Sequence, residues 1–387
     1  MRKKIIGITS TRSDYDLLSP MYRKMARSSE FDISLVASGM HLETKFGETI
    51  DLIEEDRIPI GMKVKTIFDG DQMKDRCISA SILFNHLIEY LDQKKPDLVT
   101  YAGDREDTIV AATVCGYLGI PSAHFYAGDH TRDGYIDNPI RHAVSKLSTI
   151  LFTCCNIHAE RLAKIGEPLH RIFNIGSIAL DNFYHEKEAT LEELCHYFKR
   201  NQLPEKYAVV IFHPTVEEKN IGGEILQNIL NNLSKKNIFC FLSYPNSDPS
   251  SQSIIDTIEK QSGSKKIHTY KSLPREIFIS LYKNASMIVG NSSSGIAEAA
   301  SIPIPAINVG MRQKGRSASK NVLFVDSDNT SILRGIEKAL DQKFIDENVK
   351  GAKNIYGSGG SADRAIEIIR SMDFTKLLLK KEDPLEP

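Results

Sequence analysis

With 387 residues, 41% hydrophobic and 26% charged, and a formal net charge of -1, the chain has the makeup of a globular protein long enough for two cores of roughly 150 to 200 residues each. The near-zero charge, with no long basic block, excludes nucleic acid as an expected partner, and no segment approaches the ~18 apolar residues of a membrane span. None of the six cysteines forms a CxxC pair, which suits reduced thiols in a cytoplasmic protein.

The chain opens Met1-Arg2-Lys3-Lys4-Ile5-Ile6-Gly7-Ile8-Thr9. Its apolar run is too short for a secretory leader and is closed by polar residues, so it reads as a first strand. Apolar runs then alternate with helical patterns. The first half carries strands at 5–9, 33–37, 98–101, 122–125 and 150–153, with helices at 14–26, 78–91, 108–118 and 140–146. After a polar helix at 191–201, the second half carries strands at 208–212, 238–243, 266–269, 287–289, 305–309 and 322–325, with helices at 221–233, 274–283 and 332–340. This alternation predicts parallel sheets covered on both faces: an α/β protein of two Rossmann-like, doubly wound domains. The domains are expected at 1–180 and 181–365, with a C-terminal helix and tail over 366–387 crossing back to the first. Residues 380–387 are charged and Pro-rich and are expected to fray. No GxGxxG is present, so the dinucleotide fingerprint is missing.

In open parallel sheets ligands bind beyond the carboxyl ends of the strands, so the residues that follow each strand form the candidate site. Gly290-Asn291-Ser292-Ser293-Ser294-Gly295 leads from a strand into small helix-forming residues. Unpaired N–H groups, three hydroxyls and two glycines would cradle a diphosphate; the alternative is an ordinary Ser/Gly turn with a serine N-cap. Glu298 would repel a bare phosphate but suits the two hydroxyls of a ribose beside it. After the first strand, Thr11-Arg12-Ser13-Asp14 offers Ser13 or Asp14 as a helix cap and Arg12 for a phosphate, or merely a capped helix with a surface arginine.

Gly103-Asp104-Arg105-Glu106-Asp107 gathers three carboxylates and an arginine at a helix start, an arrangement that favours an acid/base pair over a purely dipolar role. His124-Phe125-Tyr126-Ala127-Gly128-Asp129 runs on through Asp133 to Asp137, as either a lid or a surface loop. His213, ending a strand, is either a diphosphate ligand and proton donor or a core histidine. Arg312-Gln313-Lys314-Gly315-Arg316 is either an anion site or a solvated loop. The 11 histidines form no HxxxH or HxH pair and the carboxylates lack EF-hand spacing, so no metal site is expected.

Taken in order, these stretches resemble the UDP-N-acetylglucosamine 2-epimerase family, particularly its hydrolysing branch, which supplies N-acetylmannosamine for sialic-acid-type sugars. The likeness also takes in Ser38-Gly39-Met40-His41-Leu42 with Phe46-Gly47, Ile136-Asp137 with Ile140-Arg141-His142-Ala143, Gly176-Ser177 with Leu180-Asp181-Asn182, and His213-Pro214. It implies a GT-B architecture, two Rossmann-like domains facing a nucleotide-sugar cleft, in a homo-oligomer (dimer or tetramer) that needs no cofactor. It implies elimination of UDP across C1 and C2 to a glycal, then addition of water at C1 with reprotonation at C2. Position by position, Arg12, Ser13, His213, Ser292, Ser293, Ser294, Glu298 and Arg312 would hold UDP. Asp104 and Asp137 would act near the sugar, with Arg105 as their positioning partner.

One departure bears on the chemistry. Family members usually carry Glu or His two residues after the motif histidine and Glu at the motif's end, where this chain has Tyr126 and Asp129. A tyrosine can still donate a proton, so both join the acid/base candidates. The expected reaction is hydrolysis of UDP-N-acetylglucosamine to UDP and N-acetylmannosamine. The alternative substrate is a UDP- or GDP-linked 2,4-diacetamido sugar of legionaminic-acid synthesis. A GT-B glycosyltransferase would share the fold and phosphate loop but would need an acceptor-facing apolar patch, which the first domain lacks in sequence. A non-catalytic nucleotide-sugar sensor is the third class.

Overall fold

The structure, a computed structural model, describes residues 2–43, 49–66, 73–131, 136–185, 187–215, 218, 221–245, 251–261, 263–378, 380–383 and 385, with the side chains of Met73 and His185 outside the description. Phe46, Gly47, Asp133, Gly134 and Tyr135 of the motifs above lie outside the described residues. In chain order the elements are β1 (Lys3–Thr9), α1 (Arg12–Arg27), β2 (Phe31–Ser38), α2 (Ile50–Glu55), β3 (Ile60–Val64), α3 (Met73–Lys94), β4 (Leu98–Ala102), α4 (Glu106–Leu118), β5 (Ser122–Phe125), α5 (Asp137–Leu147), β6 (Ile150–Thr153), α6 (Asn156–Lys164), β7 (Ile172–Asn174) and α7 (Ala179–His185). They continue with α8 (Leu191–Tyr197), β8 (Tyr207–Ile211), α9 (Gly222–Lys235), β9 (Phe239–Ser243), α10 (Gln252–Glu259), β10 (Ile267–Tyr270), α11 (Arg275–Lys283), β11 (Met287–Gly290), α12 (Ser294–Ala297), β12 (Ala306–Val309), β13 (Val322–Val325), α13 (Asn329–Leu340), α14 (Gln342–Phe344) and α15 (Ser361–Ser371).

The chain divides into two compact units. The first comprises Met1–His130, Gly134–Asn182 and Tyr356–Pro387, and the second Thr131–Asp133 and Phe183–Ile355. The return to the first unit thus comes at Tyr356, ahead of the boundary at 365 read from the sequence, and takes in all of α15. Each unit is built on one parallel sheet, ordered β3-β2-β1-β4-β5-β6-β7 in the first and β10-β9-β8-β11-β12-β13 in the second. These are the doubly wound α/β sheets that the alternation predicts.

In the first unit neighbouring residues of one strand serve opposite faces, as the pleat requires. Ile5, Ile33 and Leu98 pack on Leu18 and Met21 of α1 and on Ala365 and Ile369 of α15. Ile6, Val36 and Val99 pack on Leu83 and Leu87 of α3 and on Val110 and Val114 of α4. Each such fully buried aliphatic side chain contributes about 1.5–3 kcal/mol of transfer free energy. In the second unit α9 and α13 cover one face and α11 the other.

Apolar-run reading misses β3 and β7 because both are edge strands. β3 alternates, Ile-Gly-Met-Lys-Val, instead of running apolar throughout, and β7 has three residues. The expected fraying of 380–387 is corrected in part. Lys380 binds the Glu167 carboxylate at 2.5 Å and the Ser145 carbonyl at 2.7 Å, and Glu382 pairs with buried Arg171 at 2.9 Å. Among the described residues no helix is long and apolar enough to cross a membrane.

Candidate active site

In each sheet the strand order reverses once, between β1 and β4 in the first unit and between β8 and β11 in the second. Helices leave the two reversing strands toward opposite faces, which opens a crevice at their carboxyl ends, the usual place for ligands in such sheets.

At the β1 end, Thr11 is the N-cap of α1 and forms a capping box with Asp14, whose carboxylate accepts from the Ser10 and Thr11 backbone N–H groups at 2.8 and 2.7 Å. The cap is therefore Thr11, neither Ser13 nor Asp14 alone; Ser13 is exposed, with its hydroxyl 2.9 Å from that of Thr11. Arg12 pairs with Asp16 at 3.3 Å, one turn along the helix. His41, after β2, is fully buried between the Thr9 and Thr49 hydroxyls, each at 2.9 Å, and burial lowers its pKa.

The β4 end supplies Gly103 to Asp107. His124 of β5 lies beneath it, fully buried, donating from Nε2 to the Gly103 carbonyl at 2.8 Å with Nδ1 3.0 Å from the Ser145 hydroxyl. Burial pushes the His124 pKa down to about 4, so it is a neutral brace at physiological pH. Asp107 is buried, and desolvation together with the nearby Asp14 and Glu106 carboxylates raises its pKa to about 7. Glu106 is paired with Arg76 at 2.7 Å.

Asp104, expected to lean on Arg105, is instead paired with Arg141 of α5, whose side chain is 4% exposed. The same guanidinium donates to the Tyr126 carbonyl at 3.1 Å and stands 3.9 Å from the Asp129 carboxylate. Asp129 in turn faces Nε2 of buried His158, on α6, at 3.2 Å. Arg105 supplies the backbone N-cap of α4, and its charge favours the ionised form of Glu106 while only partly offsetting the burial and neighbouring carboxylates that raise the pKa of Asp107.

Asp137 is the first residue of α5 rather than part of a loop, one turn before Arg141 on the same helix face. Tyr126 has a left-handed backbone, φ 60°, and its hydroxyl lies 3.0 Å from the Ser177 hydroxyl and 3.3 Å from the Leu17 carbonyl while accepting from the Ala179 N–H at 3.0 Å. These contacts hold the hydroxyl in place within the first unit.

At the β8 and β11 ends of the second unit amide and hydroxyl groups make most of the contacts, with Arg312 as a cation among them. The carboxamide of fully buried Asn291 clasps the backbone of His213, accepting from its N–H at 2.7 Å and donating to its carbonyl at 2.8 Å. Gly290 makes the close approach with φ 141°, where an added Cβ would run into the Ile211 carbonyl. The Asn291 carbonyl accepts from Arg312 at 3.0 Å and Gln313 at 3.1 Å. Ser292 accepts from the Ser294 N–H at 3.3 Å, and the Ser294 hydroxyl lies 2.8 Å from that of Tyr282.

His213 is only half-buried and belongs to the edge, not the core. The helix expected after the serines is a single turn, with Ser293 as N-cap and Glu298 at its C-terminal end, so its dipole is weak and the site rests on hydroxyl and backbone donors. Within the cationic loop Lys314 pairs with Asp326 at 3.1 Å.

Three candidate site residues escape the sequence reading. Arg141 lies in a quoted motif but carries no partner there, and the one signal is its place four residues after Asp137. Asn291 reads as part of a serine loop. His158, inside a helix that the periodicity reading missed, gives no sequence signal at all. Among the described residues no three His, Cys, Asp or Glu side chains converge as metal ligands.

The family model described as UDP-N-acetylglucosamine 2-epimerase matches residues 23–370. The chain is 30% identical over 98% of its length, and 99% of the relative's, to UDP-N,N'-diacetylbacillosamine 2-epimerase (hydrolyzing) of Legionella pneumophila. It is 32% identical over 89% of both chains to GDP/UDP-N,N'-diacetylbacillosamine 2-epimerase (hydrolyzing) of Campylobacter jejuni. It is 30% identical over 87% of both chains to UDP-N-acetylglucosamine 2-epimerase of Neisseria meningitidis. The crystal structure of UDP-GlcNAc 2-epimerase from Neisseria meningitidis, 18% identical and covering 95% of this chain and 99% of its own, has the same fold with a TM-score of 0.82. On the extent of the family match and of these relatives, the chain belongs to the UDP-N-acetylglucosamine 2-epimerase family.

Proposed function

We propose that this protein is a hydrolysing 2-epimerase whose substrate is a UDP-linked 2,4-diacetamido sugar, which it converts to UDP and the free sugar epimerised at C2. The observation that carries this reading is the near full-length similarity, at 30% and 32% identity, to two relatives named as hydrolysing diacetylbacillosamine 2-epimerases. UDP-N-acetylglucosamine, the substrate first expected from the sequence, becomes the competitor that the assay must include.

The second unit's edge takes the nucleotide: Ser292, Ser293, Ser294, His213 and Arg312 direct donors and positive charge at the diphosphate, and Glu298 accepts from the ribose hydroxyls. The departing diphosphate gains negative charge as the C1–O bond breaks, and fixed donors stabilise that charge. The first unit's edge handles the proton at C2. Asp104, paired with Arg141, and Asp137, together with Asp129 in the same network, share the base and acid roles of elimination and hydration.

Incubating the purified protein with UDP-N,N'-diacetylbacillosamine and, separately, UDP-N-acetylglucosamine, in deuterated water with products followed by NMR, tests this. Free UDP and a C2-epimerised diacetamido sugar carrying deuterium at C2 are expected, with a kcat/KM at least about 10-fold above that for UDP-N-acetylglucosamine. Preference for UDP-N-acetylglucosamine overturns the substrate, and a product without deuterium overturns the proton-exchange mechanism.

A further inference from the structure

Among the described residues, the first unit buries three histidines almost completely: His41, His124 and His158. His41 has both ring nitrogens 2.9 Å from threonine hydroxyls, and His124 has its two against Ser145 and the Gly103 carbonyl. That is how a histidine serves a framework, because a buried ring nitrogen without a partner is costly. His158 breaks the pattern. Its Nε2 lies 3.2 Å from Asp129 Oδ1, while Nδ1, equally buried, has no hydrogen-bond partner among the described residues. Its burial therefore serves the carboxylate and not the fold around it.

We propose that His158 is the proton partner of Asp129, and so a positioning residue for the chemistry on the sugar. The loop that carries Asp129 is shaped for the pairing. Gly128 has φ 77° and lies against the His158 backbone, where a Cβ would collide, and Arg161, one turn further along α6, donates to the Gly128 carbonyl. The charged and titratable groups around the pair are Arg141 and His142 from α5, Asp104 beyond Arg141, His130 in the loop, and Arg161 and Cys155 from α6. The Tyr356 ring stands 5.9 Å from the imidazole. Asp129 Oδ1 also accepts from the His130 N–H at 2.8 Å, which fixes the oxygen that His158 addresses.

The pair can pass one proton between Oδ1 and Nε2. When Asp129 takes a proton from the sugar at Oδ1, that proton passes to Nε2 of a neutral imidazole protonated at Nδ1, which restores the carboxylate and leaves an imidazolium. The reverse transfer, Nε2 to Oδ1, makes Asp129 an acid and returns the imidazole to neutral. Because Nδ1–H has no acceptor, the imidazolium gains less than it would in a satisfied site, and the proton is not trapped there. Asp129 is one methylene shorter than the glutamate usual at this position, which suits a carboxylate that works through a neighbour.

This inference rests on the proposed epimerase reading for its consequence in catalysis, but the pairing is tested without turnover. In the full-length protein with ring-labelled histidine, the NMR titration midpoint of His158 is expected to fall by about one pH unit or more in Asp129→Asn. In the assay above, His158→Gln keeps a donor of similar reach. It is expected to leave KM near that of the parent, lower kcat by about 10- to 100-fold, and alter the pH profile of kcat. An unmoved His158 midpoint in Asp129→Asn overturns the pairing. Rescue of both kcat and its pH profile by Gln reduces His158 to a spacer and overturns the proton role. If the parent turns over neither nucleotide sugar, the epimerase reading fails while the titration still decides the pair.

Discussion

The two sheets share a strand order around the reversal, yet their carboxyl edges are made of opposite material. The first unit places ionisable groups in contact: Asp104 with Arg141, Asp129 with Arg141 and His158, Asp107 beside Asp14. The second places neutral amides and hydroxyls in contact: Asn291 with His213, Ser292 with Ser294, Ser294 with Tyr282. An edge rich in amide and hydroxyl donors, with Arg312 beside them, recognises an anion. A charged, partly dry edge shifts pKa values and so can move protons. One topology therefore supports two kinds of chemistry, and the choice lies in the few residues after each strand.

The contrast is broken most severely by removing the cation that holds the charged edge together. Arg141→Met removes the cation that Asp104 and Asp129 share, from a side chain 4% exposed, and is expected to cost about 3–5 kcal/mol in urea denaturation along with turnover. A loss below about 1 kcal/mol would mean that Arg141 is a bystander, its pairs no stronger than surface ones. Asp104→Asn and Asp137→Asn change charge with little change of shape. Each should slow turnover by about 100-fold while leaving UDP affinity in calorimetry at the parent value. Loss of UDP affinity in either would place nucleotide recognition on the charged edge and erase the division.

The donor-rich edge is probed by Glu298→Ala. Removing one charge-assisted acceptor, worth about 1.5–3 kcal/mol, should weaken UDP binding by roughly 10- to 100-fold. Unchanged affinity would remove Glu298 from the ribose.

The smallest expected effect is on pH dependence. Asp107 has its pKa raised from 3.8 to about 7 in the folded protein, so between those values the native state keeps a proton that the unfolded chain gives up. Its contribution is thus fully present below the unfolded value and is lost as pH rises through about 7. Asp107→Asn should flatten stability over that window and leave the variant more stable than the parent by about 1–2 kcal/mol at about pH 8, measured by urea denaturation at several pH values. A parent profile that is flat between those values would place Asp107 in a wetter setting than its burial indicates.

The apolar runs of β1, β2, β4, β5 and β6, and the helical periodicity between them, determine the doubly wound class, because a strand buried on both faces must be apolar throughout and that is visible locally. The motifs after each strand likewise mark where a site belongs, since a parallel sheet can offer its ligand little else. Which residues meet there was not legible. Arg105 sits beside Asp104 in the chain, but adjacent residues at a helix start point in different directions, and the partner is Arg141, brought over by α5. Tyr126 reads as a proton donor by its place in a motif, and its left-handed backbone and its hydroxyl contacts to Leu17, Ser177 and Ala179 could not be read there. Periodicity records which face of an element is wet or dry. Pairing among charged groups depends instead on separations of a few ångströms between elements far apart in sequence, and on the loss of water that comes only with packing; that the tertiary structure alone decides.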